Sequence, residues 1–315
     1  MDKKNFKTLE EQIILLENKG LIINDKEYAK EILLRENYFF LNGYRHVFYT
    51  SDYNRKFIRG TTFEEIYSLF LFDRRIRNIL FKNILIIENN LKSIFAYQLS
   101  MKYGYKEKEY LNARNFTSDQ SRSRQVNDLL NKMKRQVRVN VKQHTATMHY
   151  LNNYGYIPLW ILVKVLSFGI VSEMYSILKN DDKLGIASIY NIDSNQLEEY
   201  LPILANYRNI CAHEDILYEI KTQRTISDTI YHVTLGIPKT DGEYIYGKND
   251  LFSLLIIIRQ LLKEDEYNDL IVEIRRCIDE LEYNLKSIKI DKILDKMGFP
   301  SNWKEINNIK KRDNI

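Results

Sequence analysis

From Thr61 to Tyr103 the chain runs for about 40 residues without a proline or a glycine. Thr61 and Thr62 stand three residues before Glu64 and Glu65, the spacing at which a hydroxyl and a carboxylate satisfy each other's backbone donors at a helix start. Gly104 supplies the stop. One helix on the order of 60 Å long follows, at 1.5 Å per residue. Asp73, Arg77, Leu80, Ile84, Glu88, Leu91 and Phe95 recur along it at steps of three and four, so three charges share a stripe with apolar side chains. Such a stripe predicts an internal ion pair, and the ordinary role of buried charge is to fix packing.

A rod of this length needs other helices to cover it, and the rest of the chain reads that way. Only four prolines and eleven glycines interrupt 315 residues, and apolar spacing mostly follows the helical period. Thr8 with Glu11 starts a first helix that should end near Gly20, and Asn24 or Asp25 starts a second. Pro158 opens a helix–turn–helix pair expected to break at Gly169. Asp193 with Gln196 caps a segment that Pro202 should kink or restart. Residues 221–247 are richer in β-branched side chains, and Asp241-Gly242 has the form of a hairpin turn. Two helices, about 250–263 and 266–287, close the chain. The expected division is a helical N-terminal extension over 1–60, a core over 61–220 with an insertion at about 105–150, and a C-terminal part over 221–315.

Net charge is only +5, from 47 basic and 42 acidic residues, so total charge does not argue for a nucleic-acid partner. Its distribution does. Arg122, Arg124, Lys132, Lys134, Arg135, Arg138 and Lys142 are opposed only by Asp128, a local charge of +6 that exceeds that of the whole chain. This segment is either a solvated helical face or a phosphate-binding, RNA-contacting surface. Cys211 and Cys277 are too few for a disulfide framework or a structural zinc site. The N-terminus has no apolar signal core, and no apolar run reaches the roughly 20 residues of a membrane span. A cytoplasmic protein without membrane contact is expected.

The phosphate-binding loops, dinucleotide fingerprints and zinc-protease motifs are all missing, so no cofactor and no metal are expected. Five histidines remain: His46, His144, His149, His213 and His232. An arginine followed by four to six residues and then a histidine is the loose signature of metal-independent HEPN ribonucleases. It occurs here twice, at Arg138–His144 and Arg208–His213, against roughly one occurrence expected by chance. Requiring four intervening residues and a polar Asn, Asp or His after the arginine leaves only Arg208-Asn209-Ile210-Cys211-Ala212-His213. On a helix Asn209 lies one turn before His213, where its amide can orient the imidazole, and Arg208 is offset by about 140°. Two copies meeting on a two-fold axis would surround one phosphate with two histidines and two arginines, which predicts a homodimer.

These residue types suit RNA cleavage by its own 2′-OH. A histidine takes or gives the proton near neutral pH, and an arginine stabilises charge on the phosphoryl oxygens. The products would be a 2′,3′-cyclic phosphate and a 5′-OH. In a purely structural role, His213 would instead hydrogen-bond within a packed helix end, and Arg208 would pair with a nearby acid such as Glu214.

Around this motif the chain resembles the Abi family of bacterial abortive-infection proteins, of the AbiD and AbiF type. The resemblance runs over nearly the whole length. It includes Thr8-Leu9-Glu10-Glu11-Gln12-Ile13, Asn37-Tyr38-Phe39 with Gly43-Tyr44, Phe63-Glu64-Glu65-Ile66 and Phe72-Asp73-Arg74-Arg75-Ile76-Arg77. Further on it includes Pro158-Leu159-Trp160, Ser167-Phe168-Gly169 and Gly298-Phe299-Pro300 with Trp303. It implies a mainly α, HEPN-like helical bundle with helical extensions and a small hairpin insertion, a role in defence against phage, and kinship with the ribonuclease modules of RNA-guided CRISPR effectors. It further implies a small structured noncoding RNA as partner. Onto this chain it carries Arg208, Asn209 and His213 as the catalytic motif, and Asp73, Arg77 and Glu88 as structural or supporting positions. Many HEPN proteins bind RNA without cutting it, so a catalytically silent RNA-binding scaffold is the alternative to a toxin-like endoribonuclease. DNA is not an expected partner.

Overall fold

A computed structural model describes residues 5–309, apart from 52, 54 and 141–143. The chain is mainly helical and is organised around the long helix, which spans Phe63–Tyr103. Thr62 is its cap: the Thr62 hydroxyl accepts from the Glu65 amide at 3.3 Å, and the Glu65 carboxylate accepts from the Thr62 amide at 3.0 Å. The same Glu65 side chain accepts from the amides of Lys286 and Ser287, each at 2.6 Å. One carboxylate thus ties the start of the long helix to the C-terminal part of the chain.

Ile76, Leu80, Ile84, Leu91 and Phe95 of the long helix are fully buried, and so are Asp73, Arg77 and Glu88. The helices Glu264–Asn284, Leu159–Val165 and Ser194–Ala212 pack along it. One hydrophobic core runs from Ile13 to Ile309, so the N-terminal, central and C-terminal segments share it. Among the described residues no helix is long and apolar enough to cross a membrane.

One local expectation is corrected and two are refined. The pair after Pro158 breaks at Leu166–Ser167 rather than at Gly169, because the Ser167 hydroxyl caps the helix Phe168–Ser176 by accepting from the Ile170 amide at 3.4 Å. The helix Ser194–Ala212 does not restart at Pro202 but runs through it. Buried Leu201, Ile203 and Leu204 hold its course on either side, which offsets the one backbone hydrogen bond that proline removes. In the β-branched stretch, Ile230–Thr234 is a short helix, since the His232 ring accepts from the Thr229 amide at its start. The hairpin itself is small: Lys239–Thr240 pairs antiparallel with Glu243–Tyr244. Its turn places Asp241 at φ 52° and Gly242 at φ 86°, the left-handed pair that Asp-Gly suits.

Candidate functional site

The helix Ser194–Ala212 carries the arginine–histidine motif. Asp193 caps it, accepting from the amides of Asn195 and Gln196. Leu197, Leu201, Leu204, Tyr207 and Ile210 turn inward and are buried, which leaves Asn209, Ala212 and His213 facing outward. Cys211 is buried as well, and burial pushes its thiol up to about 12, so it stays protonated and unreactive. Asn209 and His213 are exposed.

His213 sits at the very end of the helix, its amide donating to the Asn209 carbonyl at 3.1 Å. Beyond it Glu214 adopts a left-handed φ of 57°, and the Asp215 amide returns to the Ile210 carbonyl at 3.3 Å. This is a helix-ending motif in which glycine is the usual residue. Asn209 and His213 are therefore joined through the backbone. Among the described residues neither side chain hydrogen-bonds the other, so the orienting contact expected between them is not made.

Arg208 faces the long helix. Its Nε lies 3.5 Å from Oε2 of Glu88, and its guanidinium carbon is 5.7 Å from the centre of the Phe81 ring. The other oxygen of Glu88 accepts from Lys92 at 2.6 Å. Neither Arg208 Nε nor Glu88 Oε2 has a hydrogen-bond partner, although both are buried. The arginine is thus held by charge, while 35% of its side chain remains open to solvent with its donors uncommitted. Glu214 is not its partner; it lies 3.7 Å from Arg74, which makes a two-pronged pair with Glu36 at 3.0 and 2.7 Å.

Asp73 and Arg77 fix the chain that leaves the motif. The Asp73 carboxylate accepts from Arg77 at 2.7 Å, from the Tyr44 hydroxyl at 2.8 Å, and from the amides of Leu217 and Tyr218 at 3.1 and 2.7 Å. Arg77 also donates to the Asp215 carbonyl at 2.7 Å. Burial pushes the Asp73 carboxyl up, against the pull of Arg77 and of these donors. The buried pair on the long helix therefore grips residues 215–218, immediately after His213, and sets the direction in which the helix end points. Lys92 and Tyr44 were not singled out from sequence. The spacing of Glu88 to Lys92, four residues on a helix, was the one available signal.

A family model for Abi-like proteins matches residues 31–219. The chain belongs to the Abi-like protein family. Membership gives it a role in abortive infection, a form of defence. The matched span contains the motif, the long helix and the basic segment, and it closes just after the residues gripped by Asp73. No curated protein and no solved structure matches the chain.

In this Abi-like protein the basic segment is the helix Ser123–Asn140, which buries Val126, Leu129, Leu130 and Met133. Its cations have different fates. Arg122, just before the helix, donates to the Ser176 carbonyl at 2.5 Å and lies 3.7 Å from Glu198, so it is part of the packing. Lys132 pairs with Glu173 at 2.7 Å, and Arg124 lies 3.9 Å from Asp128. Lys134, Arg135 and Arg138 are exposed, with no acidic partner among the described residues. Lys142 lies outside the described residues. His144, the other histidine that follows an arginine at the right distance, caps the helix Thr145–Tyr154 through the Thr147 amide.

Proposed function

We propose that this Abi-like protein is a metal-independent endoribonuclease of HEPN type, acting in abortive infection. The observation that carries the reading is Arg208, held by Glu88 yet 35% open to solvent, on the last turn of a helix whose end is the exposed His213. The solvent-open side of the Arg208 guanidinium is available to an anion such as a phosphodiester.

In the proposed reaction a ribose 2′-OH attacks the adjacent phosphorus. The 2′-oxygen–phosphorus bond forms, the phosphorus–5′-oxygen bond breaks, and a 2′,3′-cyclic phosphate and a 5′-OH result. His213 transfers the proton, and Arg208 stabilises the charge on the phosphoryl oxygens. Asn209, exposed one turn before His213, completes the motif. One imidazole cannot hold both proton roles at the same moment, so a second copy of the helix across a two-fold axis would supply the other.

RNA cleavage in EDTA by wild type and by His213→Ala tests the assignment. Activity in wild type alone is expected; equal activity in both variants, or none without a divalent ion, would remove it. The scaffold reading rests on the unpaired Lys134, Arg135 and Arg138. A small structured RNA held there would restrain or guide the nuclease. Sequencing the nucleic acid that co-purifies tests this, with one discrete small RNA expected.

A further inference from the structure

Beside the Arg208–Glu88 contact the long helix forms one wall of a groove of about 960 Å³, and the helix Leu159–Val165 forms the other. Ser93, Ala96 and Ser100 form the middle of the long-helix wall, with exposed Tyr97 and Met101 along one edge and buried Lys92 on the other, over about 14 Å of its length. Tyr105, Trp160 and Lys164 complete the lining, and no lining residue is acidic. Tyr97, Met101, Tyr105 and Trp160 are exposed. Tyr105 lies 5.6 Å from Trp160 and 5.6 Å from Tyr156, and Lys106 sits 5.1 Å from the Tyr156 ring. Lys164 is exposed with no ion pair among the described residues. Ser100, on the groove floor, has a buried hydroxyl without a partner.

We infer that this groove binds single-stranded RNA, its rings stacking on bases and Lys164 meeting the backbone. The inference rests on reading the Arg208–His213 site as one that meets RNA, and it assigns a second surface on which the strand is held. Exposed aromatic faces interleaved with cations are what a sequence-tolerant single-strand site requires. The groove begins at Asn89 and Lys92, beside Glu88, whose buried carboxylate holds both Lys92 and Arg208. A second copy of the chain suits it poorly. A two-fold contact through this face would bring the unpaired Lys164 toward its own copy with no acid in the lining to offset it.

The two tryptophans make the test direct. Trp160 is 41% exposed, and Trp303 is 1% exposed in the core, so quenching by a stacked base reports on Trp160. The probe is a 2′-O-methyl RNA strand of about ten nucleotides, which lacks the attacking hydroxyl and cannot be cleaved by the proposed route. Saturable quenching is expected with wild type, and Trp160→Phe should lose the signal. Tyr97→Ala combined with Lys164→Glu, both at exposed positions, should weaken binding by about tenfold or more. A duplex of the same length should not quench.

Binding seen by anisotropy without quenching, unchanged affinity in the double variant, or equal quenching by the duplex would each overturn the inference. So would a double variant whose only change is loss of a dimer. Because the probe cannot be cut, these results stand apart from the cleavage assay. Cleavage that depends on His213 but ignores the groove would leave the nuclease reading intact and remove this one.

Discussion

Asp73→Asn removes one charge and almost no volume, yet it should be among the most damaging substitutions in the protein. Four donors converge on the carboxylate: the Arg77 guanidinium, the Tyr44 hydroxyl and the amides of Leu217 and Tyr218. A carboxamide offers one acceptor oxygen and turns two hydrogens of its own toward donors. Both members of the ion pair are 2% exposed or less, so Arg77 would keep a buried charge with no counter-charge. Breaking a buried pair from one side costs about 3–5 kcal/mol, a large part of the roughly 5–15 kcal/mol that holds a domain together. With a urea dependence of about 2–3 kcal/mol per molar, the unfolding midpoint should fall by roughly 1–2 M.

Tyr44→Phe deletes only one of the four donors and should cost about 1.5–3 kcal/mol. Replacing both charges, as Asp73→Leu with Arg77→Met, should cost less than the sum of the singles, since no lone charge remains. The Leu217 and Tyr218 amides would still be orphaned, so the double variant should not regain wild-type stability. A loss below about 1 kcal/mol for Asp73→Asn, or a larger loss for Tyr44→Phe, would refute the claim that this pair anchors the segment after His213.

Other outcomes follow from single contacts. Glu214→Gly relieves a left-handed backbone at an exposed position and should stabilise by about 0.5–1 kcal/mol in the same denaturation assay. Arg135→Gln with Arg138→Gln should flatten the salt dependence of RNA binding, lowering the slope of log affinity against log salt by about 1–2 without changing the denaturation midpoint. Burial pushes the His232 imidazole down, and its ring is committed as a neutral donor to Gly247 and acceptor from Thr229. The unfolded chain therefore binds the proton more readily. Stability is fully present above the free-histidine value near 6.5 and is lost as pH falls below it, by up to about 1.4 kcal/mol per unit. His232→Gln should remove that part of the decline between pH 7 and pH 5, measured as the change in urea midpoint.

What the sequence by itself determined is what depends on neighbours along the chain. The long helix, its Thr62 cap and its Gly104 stop, the Asp193 cap and the Asp-Gly turn all rest on interactions across three or four residues, and they could be read directly. The arginine–histidine motif was legible for the same reason, as was the burial of Asp73, Arg77 and Glu88, which follows from helical periodicity. Local reading failed where two local signals competed, as when the Ser167 cap prevailed over Gly169.

Only the tertiary structure decided which groups meet. Asp73 accepts from amides 144 and 145 residues further on, and Glu88 faces Arg208 while Glu214, the sequence neighbour, turns to Arg74. The same packing of two helices creates the groove of Tyr97, Trp160 and Lys164. Helical period states which face of an element is buried, but the partner on that face is chosen by how elements pack, and packing depends on the shape of the whole core.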